Sequence, residues 1–213
     1  MNIEYVLPED IEKRSFEMIA EEIEIYVPED IRPVVFRAIH TTADFDYAYN
    51  LYFSENSIET VLEALESGAV IVTDTNMAKT GINKAALARH GVECMCFMAD
   101  EDVAEAAKKN GTTRASASVD KAAKLEKPVV FVSGNAPTSL IRLCELMEQG
   151  SFTPAFVIAA PVGFVNVVQS KEMIISSGIP CIAARGRKGG SNVAAAICNA
   201  LLYMLDNKKG CKK

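Results

Sequence analysis

The hydrophobic rhythm of the chain changes once, near residue 69. Before that point the spacing is helical: Ile11, Phe16, Ile19 and Ile23 recur among charges across residues 8–25, and Pro8 stands where a first helical residue is expected. A second helix is expected after Pro28-Glu29-Asp30, carrying the apolar run 33–39 and delivering His40 at its end or in the irregular stretch beyond it. Asn56 and Glu59 have the spacing of a capping box for a helix over residues 57–66, and Gly68 sits where such a helix stops.

From residue 69 onward, short β-branched apolar runs alternate with helical patterns. The runs 69–73, 94–98, 129–132, 156–159 and 181–184 read as five strands joined by crossover helices. Strands this continuously apolar are expected when helices cover both sheet faces. The predicted fold class is therefore α/β: a mostly parallel sheet with helices on both faces and an N-terminal helical extension. No Pro/Gly/Ser-rich linker interrupts the chain, so residues 1–213 are expected to form a single domain. Right-handed crossovers bring the strand C-termini to one edge, which is where open α/β sheets bind ligands.

Charge and composition narrow the classes of function. A formal charge of −6 argues against a broad nucleic-acid surface, which needs Lys and Arg clustered over a face. With 49% apolar and 23% charged residues, the composition is that of a folded globular protein. No apolar run approaches a membrane span, and Met1-Asn2-Ile3-Glu4-Tyr5 lacks the basic-then-apolar pattern of a signal peptide, so a cytoplasmic protein without a membrane partner is expected. Cys94, Cys96, Cys144, Cys181, Cys198 and Cys211 are scattered, mostly in apolar runs, and read as reduced thiols. Cys94 and Cys96 alternate along a strand and lack the second Cys/His pair that a structural metal site brings, so no metal ligand is expected. The basic tail 208–213 is expected to fray.

The chain has only two histidines. His90 precedes Gly91 at a helix end and reads as a C-terminal cap residue. His40 leaves an apolar segment directly into Thr41-Thr42-Ala43-Asp44, and is either a proton-transfer group or a structural histidine bonded to a neighbour. Asp44 orients that imidazole if the helix continues through Thr42, and otherwise caps a turn. Four loops fall on the ligand edge: 74–76, 133–137, 161–163 and 185–191. Their glycines and following helix N-termini suit an anionic ligand, or simply make turns. Arg185, Arg187 and Lys188 bring three cations to the last loop, which is either a carboxylate- or phosphate-binding site or a solvated basic loop. Neither the Walker pattern nor a GxGxxG turn is present, so a nucleotide cofactor has no support, and a nicotinamide-dependent reductase rests on the strand-helix alternation alone.

Several motifs in order carry a more specific signal: Arg14-Ser15-Phe16, His40-Thr41-Thr42-Ala43-Asp44, Thr73-Asp74-Thr75-Asn76-Met77 and Thr113-Arg114. They continue with Gly134-Asn135-Ala136-Pro137-Thr138, the run from Pro154 to Phe164, Glu172 and Gly186-Arg187-Lys188-Gly189-Gly190-Ser191. Over nearly its whole length the chain resembles the precorrin-8X methylmutase family, also called precorrin isomerase, of cobalamin biosynthesis.

The resemblance implies an isomerase that moves the C11 methyl group of a tetrapyrrole-derived corrinoid to C12, with no cofactor. It implies that His40 donates a proton to a ring nitrogen beside the migrating centre, and that Arg114 meets carboxylate arms of the substrate while Ser15 and Thr75 lie near it. Arg187 and Lys188 are the further candidates for binding those arms. It also implies a homodimer with shared active sites, and we expect the segment around Arg14-Ser15-Phe16 to reach across to the partner's pocket. The residues after His40 look more like the cobalt-containing branch of the pathway, so cobalt-precorrin-8 is the favoured substrate. A corrinoid-binding carrier without catalysis is the alternative.

Overall fold

The computed structural model describes residues 3–208. One six-stranded sheet runs β1 (Leu51–Phe53), β6 (Cys181–Ala184), β5 (Phe156–Ala159), β4 (Val129–Ser133), β2 (Val70–Thr73) and β3 (Cys94–Met95) across its width. All neighbours pair in parallel except β1, which lies antiparallel to β6 with Tyr52 opposite Ala183.

Alternation along the strands sorts the core into two layers. Ile71, Val130, Val132, Phe156, Ile158 and Ile182 point to one face, where α2 (Arg32–Thr42), α4 (Ser57–Glu66) and α11 (Ser191–Lys208) cover them. Val70, Val72, Phe131, Val157 and Cys181 point to the other, against α8 (Arg114–Ala122), α9 (Pro137–Glu148) and α10 (Val167–Ser176). Strands buried on both faces have no polar side to show, which is why their sequences are almost continuously apolar. The remaining helices are α1 (Ile11–Glu22), α3 (Tyr47–Asn50), α5 (Asn76–Gly81), α6 (Lys84–His90) and α7 (Glu101–Asn110). Among the described residues no helix is long and apolar enough to cross a membrane.

Four expectations need correction. The sheet has a sixth strand, β1, and the run 94–98 contributes only Cys94–Met95 as strand. The N-terminal helix begins at Ile11 rather than Pro8, which lies in a turn before it. The α4 capping box does not form, because Asn56 adopts a left-handed conformation (φ 52°) and its side chain caps nothing. Helix α2 ends at Thr42, with Ala43 left-handed (φ 53°), so Asp44 does not sit one turn above His40 on a common helical face.

Five of the cysteines are free thiols, with Cys144, Cys181 and Cys198 buried. Cys211 and most of the basic tail lie outside the described residues.

Candidate active site

The C-terminal edge of the parallel strands is organised by a buried carboxylate that the motif 73–77 contains. Asp74, at the end of β2, accepts hydrogen bonds from the Gly134, Asn135 and Ala136 amides (2.8, 2.9 and 2.7 Å) and from Ser133 Oγ (3.0 Å). Burial pushes its pKa upward, against the four hydrogen bonds that favour the anion. One side chain thereby fixes the loop after β4 to the loop after β2.

Next to it, Thr75 caps α5 by accepting from the Ala78 amide, and its hydroxyl lies 2.8 Å from Ser191 Oγ at the start of α11. Two glycines matter here for close packing. A Cβ on Gly134 would stand 2.8 Å from the Ser191 Cα, and one on Gly189 would stand 2.3 Å from the Ala160 carbonyl oxygen. In both places the glycine admits the protein's own backbone, so these two positions are explained by packing between loops.

Arg114 is exposed at the first position of α8. Its neighbour Thr113 caps that helix and lies 2.9 Å from Thr138 Oγ1, so the starts of α8 and α9 abut on the same edge. Among the described residues no ion pair engages Arg114, which leaves its guanidinium available to a ligand.

The loop after β6 is fastened on several sides. The exposed Arg187 guanidinium lies 5.4 Å from the centroid of Phe164, a ring that is itself 79% exposed, with Val165 equally exposed beside it. The Arg187 carbonyl accepts from the Gly163 amide (3.2 Å). Lys188 turns the other way and binds Asp44 (2.6 Å) and Asp46 (2.5 Å), in the turn that follows α2. That pairing holds the Asp44 carboxyl below the usual range and the Lys188 ammonium above it. Asp44 also accepts from the Asp46 amide, so it caps the turn and does not orient His40.

Behind the loop stands Lys171, fully buried in α10 and donating to the Gly186 and Lys188 carbonyls (2.9 and 2.8 Å). Burial lowers its pKa to about 8. Neither Asp74 nor Lys171 stands out by residue type in the sequence. Asp74 lies in the motif 73–77, but its burial, like that of Lys171, depends on packing between distant segments.

His40 occupies the last turn of α2 and faces solvent, its ring edge-on to Phe16 with centroids 5.6 Å apart. Ser15 lies on α1 beside that contact, half-buried, and its hydroxyl donates to its own helix at Ile11 O (2.8 Å). The segment around Phe16 packs on His40 of its own chain. A cleft of about 570 Å³ between α1, α2 and α11 shares Phe16 and includes Lys13, Arg37 and Tyr203. It lies beside the histidine and does not include the strand-edge loops.

His90 proves structural. Gly91, left-handed at φ 64°, makes the helix end, while the imidazole Nε2 lies 2.8 Å from the buried Asp206. Among the described residues no group of three His, Cys, Asp or Glu side chains is arranged to hold a metal ion.

The edge thus carries Thr75, Arg114, Arg187 and Lys188, with Lys188 tied to the turn that follows His40 and exposed Phe164 beside Arg187. Residues 10–204 match the family model for precorrin-8X methylmutase. The chain is 48% identical to the cobalt-precorrin-8 methylmutase of Salmonella typhimurium over 93% of its length and 96% of that protein's. It is 40% identical to the cobalt-precorrin-8 methylmutase of Priestia megaterium, over 95% and 90%. Its fold matches the crystal structure of the precorrin-8X methylmutase from Thermus thermophilus with a TM-score of 0.85 at 36% identity, covering 93% of this chain and 98% of that one.

Proposed function

The chain belongs to the precorrin-8X methylmutase family, a family of isomerases, and from that premise we propose that it moves the C11 methyl group of a precorrin-8 corrinoid to C12, with His40 as the proton donor. Cobalt-precorrin-8 is the favoured substrate, with the metal carried by the macrocycle, and cobyrinic acid the product. The reaction breaks one carbon–carbon bond and forms another within the same molecule. Substrate and product are isomers, so a proton lent to a ring nitrogen must be returned. A group that titrates near neutral pH serves both directions.

The observation that carries this reading is the exposed His40 imidazole at the end of α2, beside a turn that Lys188 ties to the basic loop of the strand edge. Protonation beside the migrating centre makes the conjugated ring electron-poor and stabilises charge that develops as the methyl moves. The exposed Phe164 and Val165 suit the apolar face of the ring, while Arg114 and Arg187 suit its carboxylate arms in a bidentate way. Thr75 and Ser15 offer hydroxyls nearby. Lys188 has a smaller share in binding arms, because Asp44 and Asp46 already neutralise it.

The preference for the cobalt form is supported by the names of the Salmonella and Priestia relatives. The matched family is one of enzymes, and the comparisons lend the carrier reading no support. We further propose a homodimer, in keeping with the exposed Tyr5 (92%), Leu7, Ile11 and Met18 along the N-terminal segment and α1. A cytoplasmic location and the absence of nucleic-acid partners complete the reading.

Anaerobic incubation of the purified protein with precorrin-8 and with its cobalt form tests reaction and branch together, by following the absorption change that accompanies rearranged conjugation. Conversion of the cobalt form in preference to the metal-free one is the expected result. Binding of both forms with conversion of neither would overturn the methyl shift.

A further inference from the structure

Lys171 is a lysine where folding alone would favour an apolar side chain. It has no solvent exposure, and among the described residues no carboxylate forms a salt bridge with it. Taking an ammonium out of water is costly, and an unbranched apolar residue would fill the same space more cheaply. Both of its hydrogen bonds go to backbone carbonyls of one loop, those of Gly186 and Lys188. The same burial lowers its pKa to about 8.

What the loop does explains what the lysine is for. Lys188 accepts from Lys171 through its carbonyl and reaches Asp44 and Asp46 through its ammonium. Those carboxylates belong to the turn that begins where the His40 helix ends. Between the two lysine contacts, Arg187 accepts from the Gly163 amide and lays its guanidinium over Phe164. The buried ammonium thus stands behind a loop whose outward groups meet both the histidine-bearing turn and the exposed apolar loop after β5.

We propose that Lys171 is a positioning residue of the active site: by donating to the Gly186 and Lys188 carbonyls it holds the 185–190 loop in the shape that keeps Lys188 on the Asp44–Asp46 turn and Arg187 on Phe164. It touches no substrate and acts through Lys188 and Arg187. The inference rests on the methyl-shift reading only where turnover is measured.

The test is Lys171→Met, which keeps length and removes both donors. Amide exchange over residues 160–165 and 185–190 should quicken about tenfold or more while the core of α11 stays protected. Tryptic cleavage after Arg187 and Lys188 should accelerate with it. Turnover of cobalt-precorrin-8 should fall about tenfold, and adding Lys188→Met should cost less than about twofold more, although Lys188→Met alone costs several-fold. A lysine that merely supports the fold would raise exchange throughout the protein, and its loss would add to that of Lys188→Met. Unchanged loop exchange and cleavage would overturn the proposal. If Lys171→Met does not fold, Lys171→Gln is judged by the same readings. Should the wild-type protein turn over neither corrinoid, the functional reading falls, while loop exchange still decides the role of Lys171.

Discussion

At the C-terminal end of α6, the His90 side chain is 2% exposed and bonded to Asp206, whereas His40, at the last turn of α2, faces solvent beside the edge of Phe16. Both helices pack on α11, and each histidine stands in the last turn of its helix. Around His90 the charges are matched within the protein: Asp206, fully buried, takes two hydrogen bonds from Arg89 and one from His90. Around His40 the matched charges stand one step away, in the Lys188 clamp, and the imidazole itself is left open. A carboxylate whose bonds are filled by the protein, as those of Asp206 are, can hold two elements together but has little left to offer a ligand. The first region is a rivet and the second a place where a reagent can arrive.

Breaking the first region should show in stability. Asp206→Ala is expected to cost about 4 kcal/mol in denaturant unfolding, because it removes the buried carboxylate that Arg89 and the buried His90 imidazole share. Turnover per folded molecule should hold. The same carboxylate predicts acid sensitivity: the Arg89 hydrogen bond, foremost, depresses its folded pKa below the unfolded value of 3.8. Its contribution is thus present above that value and lost as the pH falls through the folded one. Urea unfolding at descending pH, with Asp206→Asn as the insensitive reference, checks this.

Breaking the second region should show in rate. His40→Ala should lose about a hundredfold or more in turnover. Its unfolding free energy should change by less than about 0.5 kcal/mol, since the ring is exposed. Near-normal turnover in that variant would remove His40 from proton transfer. A smaller effect is expected at Arg114, where alanine should raise KM about tenfold and lysine should restore it only in part, because an ammonium lacks the planar fork. Isothermal titration with the corrinoid product reads the same loss in affinity.

The smallest effect sharpens the comparison, because Lys171 is buried like Asp206 yet serves the open region. Its folded pKa of about 8 lies below the ordinary 10.5, so between those values the unfolded chain holds more protons than the folded one. Stability therefore rises with pH in that window, by about 1 kcal/mol per unit, as the cost of a buried charge is lifted. Above about pH 9 the buried thiols pull the other way, since burial raises the pKa of Cys144, Cys181 and Cys198. The lysine's part is isolated by comparing wild type with Lys171→Met at each pH. A gap between them that is flat from pH 7 to 9 would contradict the buried-ammonium assignment.

The sequence made the central strands legible because a run such as Val129-Val130-Phe131-Val132 has one explanation, burial on two faces. It concealed β1, whose three residues follow a one-turn helix without a turn signal and pair antiparallel with a strand distant in sequence. The Asn56 spacing misled because a capping box needs an extended cap residue, and that residue is left-handed here. At the site, the place of His40 at a helix end was readable from the apolar run before it. The partner of Asp44 was not, since Lys188 arrives from the opposite end of the chain. Lys171 looks like any surface lysine until α10 is laid against β6.

The two strands on the rims of the sheet, β1 and β3, are three and two residues long. A rim strand leaves a row of N–H and C=O groups onto which another polypeptide can add, and a row this short templates poorly. Neither rim invites a neighbouring molecule to extend the sheet into a fibre or a sheet-to-sheet pair. Any self-association is thereby left to helical surfaces, where side chains choose the partner and backbone pairing does not.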